Sequence, residues 1–146
     1  MNKVEIVLAN TGERMMVEAG TRLAELAAEY VRKKTAVEGK APLPILGALV
    51  NNKVEPLQYR IYNPKTIQLL DITSRQGFRM YRNALTMMLY TAVHDCYPKA
   101  VLSIDHSLQN GFYCRITSAV EDFQLPPNDE VCRTVRERMI ALQEAN

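Results

Sequence analysis

The 146-residue sequence is 47% hydrophobic and 23% charged, with a formal net charge of +2. This composition is typical of a globular chain that forms one domain or two small ones. A nearly neutral charge gives no compositional case for a dedicated nucleic-acid-binding protein, which usually carries a clustered basic excess. Since no apolar run approaches 18 residues and no signal peptide is seen, we expect a cytoplasmic chain without membrane contact.

The sequence has three cysteines, an odd number, and none of them forms a C-x-x-C motif. They are Cys96, Cys114 and Cys132. Wide spacing of this kind favours reduced thiols over a disulfide framework or a zinc knuckle. We therefore expect them to be small buried hydrophobic side chains.

The first part of the chain alternates between apolar and polar residues and predicts a hairpin over 4–17, with Thr11-Gly12 as its turn. A helix should follow, capped by Thr21 and closed at its negative end by Lys33 and Lys34. Its apolar stripe comprises Leu23, Leu26, Ala27, Tyr30 and Val31. Extended segments are predicted at 46–50, 57–61 and 66–70, with Asn51-Asn52 as a turn. The order β-β-α-β-β over roughly 70 residues predicts a ubiquitin-like β-grasp fold, a size still able to fold alone.

This plan resembles the TGS domain, a module shared by threonyl-tRNA synthetases, certain GTPases and stringent-response synthetases. The resemblance rests on the segment AGTRLAELA, the segment ALVNNKV and the apolar strand at 67–72. It implies that residues 1–73 form a TGS-like β-grasp domain.

After residue 71 the pattern becomes helical. A helix is predicted over 79–96, ended by Tyr97-Pro98 because proline cannot continue it. Its apolar residues cover so much of its surface that we expect burial on more than one side: Tyr81, Ala84, Leu85, Met88 and Ala92, widened by Met80, Met87 and Leu89. We expect the break between domains near residues 73–76.

A hairpin with the turn Asn110-Gly111 is predicted between strands at 101–104 and 112–116. A final helix should begin after Pro126-Pro127-Asn128. Its apolar stripe comprises Val131, Val135, Met139 and Leu142.

The segments GFRMYRNALTMMLYTAVHDCYP and AVLSIDHSLQNGFYCRI resemble the start of the second N-terminal domain, the editing domain, of threonyl-tRNA synthetases. The positions that match that family are Gly77, Arg82, Ala92, Tyr97, Pro98, Ile104, Asn110, Gly111, Phe112 and Tyr113. The resemblance implies that residues 77–146 are the N-terminal part of an editing-like α+β domain, truncated from a longer fold.

Two histidines of that family are replaced here by Asn83 and Met87. An amide cannot act as a general base near neutral pH, and a thioether neither carries a proton nor binds hard metals well. We therefore expect no catalytic residue, no bound metal and no ester hydrolysis. His94, on the helix flank opposite the apolar face, and His106, in a loop, are expected to be solvated.

The sequence contains no nucleotide-binding P-loop. Its single Gly-Lys pair, Gly39-Lys40, lacks the preceding glycine and the following hydroxyl residue of that motif. Weak candidates for nucleic-acid or ligand contact are Arg32, Lys33, Lys34, Lys40 and Arg82, with Arg75 and Arg79 near the second helix start. The alternative is that they complement helix dipoles, solvate the surface or pair with carboxylates.

A TGS domain followed by a histidine-stripped editing-like domain is similar to the N-terminal region of bacterial uridine-kinase-like nucleoside kinases. Our first hypothesis is a non-catalytic regulatory or ligand-binding module of such a kinase, whose ATP- and Mg-dependent domain lies beyond this chain. The alternatives are the tRNA-contacting N-terminal region of a threonyl-tRNA synthetase with an inactive editing site, or an RNA-binding adaptor. Expected partners are the rest of its own polypeptide and, as one alternative, a second copy, with RNA bound only weakly.

Overall fold

The computed structural model describes residues 2–109 and 111–145. In chain order the elements are β1 (Lys3–Leu8), β2 (Glu13–Glu18), β3 (Thr21–Arg22), α1 (Leu23–Glu38), β4 (Gly47–Val50), β5 (Lys53–Glu55), β6 (Arg60–Ile61), β7 (Lys65–Leu70), α2 (Arg75–Cys96), β8 (Ala100–Leu108), β9 (Gly111–Ser118) and α3 (Asn128–Glu144). They form two compact units, 1–82 and 83–146. No helix in the described part of the chain is long and apolar enough to cross a membrane.

The first unit contains a mixed sheet in the order β2-β1-β7-β4-β5. The central strands β1 and β7 run parallel, and the other neighbours are antiparallel. Alternation along β1 buries Ile6 and Leu8, and β7 buries Ile67 and Leu69. Both strands and the α1 residue Leu26 belong to one apolar core. The predicted mixed α+β class with a β-grasp sheet is therefore confirmed.

The turn after β4 lies where the sequence predicts it. Asn51 and Asn52 have φ angles of 48° and 67°, in the left-handed region that asparagine tolerates better than most residues. The side chain of Asn51 also accepts a hydrogen bond from the Thr66 amide at 2.9 Å, so the turn is tied to β7. The short strand β5, which pairs with β4 after this turn, was not predicted.

The predicted cap of α1 is wrong. Thr21 lies in β3 opposite Ile61, and its hydroxyl donates to the Glu18 carbonyl at 2.8 Å. Backbone groups satisfy the start of the helix instead, because the amides of Leu23 and Ala24 donate to carbonyls in the 57–59 segment at 3.0 and 2.9 Å. Because these carbonyls bind the start of α1, only the last two residues of the predicted 57–61 strand pair with another strand, and they form β6.

The predicted end of α1 is also wrong. The helix continues to Glu38 and ends at Gly39, whose φ of 68° gives the left-handed conformation that glycine adopts without a steric penalty. The last turn has no basic residue. Lys33 and Lys34 therefore lie within the helix and do not close it.

The first residues of α2 belong to the first unit and pack against its sheet. Met80 lies over Gly47 so closely that a Cβ there would overlap the Met80 side chain. The two units divide between Arg82 and Asn83, several residues beyond the predicted break near 73–76. The assignment of 1–73 and 77–146 to the two named domain types stays a prediction.

In the second unit, β8 and β9 form the predicted antiparallel hairpin, with an irregularity between Ile104 and His106. Its turn residue Asn110 lies outside the described residues. The helix α2 ends before Tyr97-Pro98, as predicted. The core comprises Ala92, Val93, Leu102, Val131 and Val135, with Met139 and Leu142 packed beside it. The apolar stripe of the final helix is thus confirmed.

Burial of α2 on more than one side is a wrong prediction. Within the second unit, Leu85 and Met87 are 39% and 65% exposed, whereas Ala92 and Val93 are buried. Only the last turns of the helix belong to the core that includes the hairpin and α3. In the first unit, Tyr81 is 42% exposed, although it was predicted to lie on the buried face.

Burial of all three cysteines is likewise wrong. Cys114 and Cys132 are exposed, and Cys96 is half-buried. All three are free thiols, in agreement with the absence of a disulfide framework.

Candidate functional site: the basic surfaces

The two positions at which the sequence resemblance predicts lost histidines lie on the exposed surface of α2. Asn83 and Met87 are four residues apart and so share one helical face. Neither side chain takes up a proton near neutral pH. Among the described residues, no group of three or more histidine, cysteine, aspartate or glutamate side chains could hold a metal ion. The expected absence of zinc and of ester hydrolysis stays a prediction.

The two histidines of this chain occupy different settings. His94 is exposed in the last turn of α2, as predicted. His106 lies in β8, contrary to the predicted loop, and its ring stacks on Tyr113 with centroids 5.1 Å apart. The strand extends past Ile104 through a bulge, and the bulge places these two rings opposite each other. His106 is exposed, as predicted, and its ring packs on an aromatic neighbour.

The predicted basic residues of α1 are largely compensated by the protein itself. The Lys33 ammonium lies 3.3 Å from a carboxylate oxygen of Glu29 and 3.3 Å from one of Glu13. The hydrogen bonds to Glu29 and then to Glu13 raise the pKa of Lys33. Lys34 lies 3.8 Å from Glu38 and 5.8 Å from the centroid of the Tyr30 ring.

The remaining predicted contacts are spread along the chain. Arg32 is exposed on α1, and Lys40 is exposed just after the glycine that ends this helix. Arg82 is exposed on α2, at the end of the first unit. The structure therefore groups the predicted residues by helix and does not form one basic cluster from them.

The first half of α2 presents a better-defined basic face. Arg75, Arg79 and Arg82 recur at i, i+4 and i+7, a spacing that places them along one side of a helix. Among the residues that the structure describes, no carboxylate lies within 4.0 Å of the Arg75 or Arg79 guanidinium. Phe78 stands three residues after Arg75 and four before Arg82, and it is 51% exposed. We call Arg75, Phe78, Arg79 and Arg82 the α2 basic face.

Helix stabilisation does not explain this face. Positive side chains in the first turns of a helix lie at the positive end of its dipole, where they are unfavourable. The cap of α2 is Ser74, whose hydroxyl oxygen accepts a hydrogen bond from the Gly77 amide at 3.0 Å. Guanidinium groups beside exposed aromatic rings are a combination that tracks phosphates and stacks on bases. The arginine spacing is visible in the sequence, whereas the exposure of Phe78 between the arginines is shown only by the structure.

No family model matches the chain. Sequence comparison finds distant similarity to threonine–tRNA ligases. The ligase of Clostridium kluyveri is 29% identical over 110 residues, which are 75% of this chain and 16% of the relative. That of Clostridium novyi is 32% identical over 102 residues, 70% of this chain and 15% of the relative. That of Streptomyces coelicolor is 23% identical over 146 residues, 99% of this chain and 20% of the relative.

The chain thus spans a fifth or less of the length of these relatives. The similarity lies in the N-terminal region of the ligases and confirms the resemblance to threonyl-tRNA synthetases at this level. The comparison gives no evidence for a nucleoside kinase parent. The chain is therefore similar to the N-terminal region of threonine–tRNA ligases.

Proposed function

We propose that this chain is a non-catalytic, RNA-contacting N-terminal module of a threonine–tRNA-ligase-like protein. The observation that carries the proposal is a similarity to these ligases that extends over 99% of the chain in one relative. The ligase activity and the tRNA partner of the whole protein are part of the proposal, because the chain covers only a small share of each relative.

The lack of hydrolytic residues supports a binding role. A metal or ester site of the editing type needs two imidazole nitrogens on one helical face. Asn83 and Met87 provide an amide and a thioether there, and both lie on an exposed helix surface. These two positions therefore offer RNA a helical surface without an imidazole that could activate water.

The α2 basic face is the surface that we assign to RNA. Phosphate neutralisation supplies most of the electrostatic binding energy, and it is greatest where the cation has no protein carboxylate beside it. Arg75 and Arg79 meet this condition among the described residues. Lys33, in contrast, would have to leave two carboxylates at 3.3 Å before it could pair with a phosphate.

The test compares two double variants that remove the same charge. We expect Arg75→Gln with Arg79→Gln to weaken tRNA binding about tenfold and to reduce the slope of log K against log salt by about 1.4–1.8, because each phosphate contact contributes about 0.7–0.9. The matched control, Lys33→Gln with Lys34→Gln, should change the slope by less than about 0.5. Binding is measured by fluorescence anisotropy with labelled tRNA at several salt concentrations.

The native module by itself should bind in the range of about 10⁻⁴ to 10⁻⁶ M, because few phosphates can be neutralised together. Circular dichroism of both variants shows whether the fold is retained. Equal losses of tRNA affinity in the two double variants would refute the assignment of RNA binding to the α2 basic face. Binding that neither variant changes would remove the basis for an RNA role.

A further inference from the structure

A groove of about 380 Å³ lies in the first unit between the β1–β2 hairpin and α1, along the helix from Leu26 to Glu38. Its volume is in the range of small-molecule sites. The apolar part of its lining comprises Leu8, Met15, Leu26, Tyr30 and Val37. Leu8 and Leu26 are buried core residues, Met15 and Tyr30 are half-buried, and Val37 is 86% exposed. An apolar body entering the groove would therefore cover Met15, Tyr30 and Val37, which are partly or largely exposed to water.

Charges of both signs line the same groove. Lys33, on α1, is paired with Glu29 one turn earlier and with Glu13 on β2, so this lysine connects the helix to the strand. Lys34 and Glu38 also line the groove, with a longer separation of 3.8 Å. The lining thus combines three carboxylates with two ammonium groups around an apolar centre.

The existing ion pairs select the charge type of a ligand. A simple anion that takes Lys33 would leave Glu13 and Glu29 without their counterion, and a simple cation that takes these carboxylates would leave Lys33 unpaired. A zwitterion exchanges the ion pairs of Lys33 for intermolecular ones and leaves Lys33, Glu13 and Glu29 each with a counterion. The Lys33 ammonium and the Glu29 carboxylate are 3.3 Å apart, so the opposite charges of the ligand must also lie close together.

We propose that this groove binds a small zwitterion with an apolar body, of the chemical class of free α-amino acids with a large hydrophobic side chain. The ligand carboxylate pairs with Lys33 and Lys34, the ligand ammonium pairs with Glu29 and Glu13, and the side chain covers the apolar centre. The inference is independent of the RNA proposal, because the groove residues lie on β1, β2 and α1 and the α2 basic face does not contribute to them.

The test is an NMR titration of the full 146-residue chain with phenylalanine as the probe. Three controls carry the same ring or the same charge: 2-phenylethylamine lacks the carboxylate, 3-phenylpropanoate lacks the ammonium, and inorganic phosphate lacks the apolar body. We expect saturable shifts of groove amides with phenylalanine. Each compound with a single charge should bind about tenfold more weakly or worse, because a charge-assisted hydrogen bond is lost.

Variants separate the groove from general charge effects. Lys34→Gln should weaken phenylalanine binding by about tenfold. The matched control is Lys53→Gln, because Lys53 is paired with Glu55 at 2.9 Å on the edge strand β5, outside the groove lining. This control should bind like the native chain, and the same spectra show that both variants are folded.

The inference is overturned if phenylalanine gives no saturable shift, or if the amine or the propanoate binds equally well. Equal effects of the two lysine variants would also overturn it. Strong binding of phosphate alone would identify an anion site instead. None of these results changes the outcome of the tRNA titration, so failure of the two proposals can be distinguished.

Discussion

The start of α2 leads to a specific prediction, because Gly77 has no room for a side chain. A Cβ at Gly77 would overlap the carbonyl oxygen of Asp71 and would lie 2.7 Å from the Ser74 hydroxyl. The Asp71 carbonyl must then move by about 1.5 Å to restore ordinary contact distances. It also accepts the hydrogen bond of the Ser74 hydroxyl at 2.8 Å, so the movement disturbs the cap of the helix.

We expect Gly77→Ala to lower the free energy of unfolding by about 2 kcal/mol. Overpacking costs about 1–3 kcal/mol, and disturbance of the Ser74 cap costs about 1 kcal/mol. The higher helix propensity of alanine offsets about 1 kcal/mol of this loss. Because the cap is the shared element, Ser74→Ala should cost about 1 kcal/mol alone and less than that in the Gly77→Ala background.

Urea unfolding followed by far-UV circular dichroism measures the four corners of this double-mutant cycle. Asn83→Ala serves as the control, because Asn83 is exposed on the same helix and its replacement should raise stability by a few tenths of a kcal/mol. A neutral or stabilising Gly77→Ala, as helix propensity alone requires, would refute the steric argument. Strict additivity with Ser74→Ala would refute the coupling through the cap.

Two further predictions concern acid stability and metal binding. The hydrogen bond from the Thr73 side chain to Asp71 lowers the pKa of this carboxyl group, so its contribution to stability is present above the unfolded pKa of about 3.9 and is lost as the pH falls through the folded value. Asp71→Asn should therefore lose less stability than the native chain between pH 5 and 2, as followed by urea midpoints; parallel losses would contradict this. The native chain should contain no stoichiometric zinc and should not hydrolyse seryl-tRNA, whereas Asn83→His with Met87→His should gain zinc by elemental analysis, because two imidazoles then share one helical face. Zinc in the native chain, or seryl-tRNA hydrolysis by it, would refute the prediction for the native chain. A double variant without zinc would refute the prediction of a gained site.

Much of the architecture was predictable from local patterns. The period-2 alternation around Ile6 and Leu8, the asparagine turn at 51–52 and the stripe at Val131 and Val135 all appear where the sequence predicts them. Each of these signals depends on residues close together in the chain, and each matches the burial that it implies. The interpretation of Asn83 and Met87 as replacements of two histidines also came from the sequence, and it stays a prediction.

Long-range contacts determined the remaining features. Backbone carbonyls of the 57–59 segment replaced Thr21 as the cap of α1, and Glu13, twenty residues away in the chain, compensates Lys33. Burial of α2 depends on which elements cover it, so its apolar residues did not reveal which of them face water. The groove beside α1 arises only where the β1–β2 hairpin meets the helix. Local sequence therefore determined the main elements and their order, whereas tertiary packing decided the short strands, which charges are compensated and which surfaces remain available for binding.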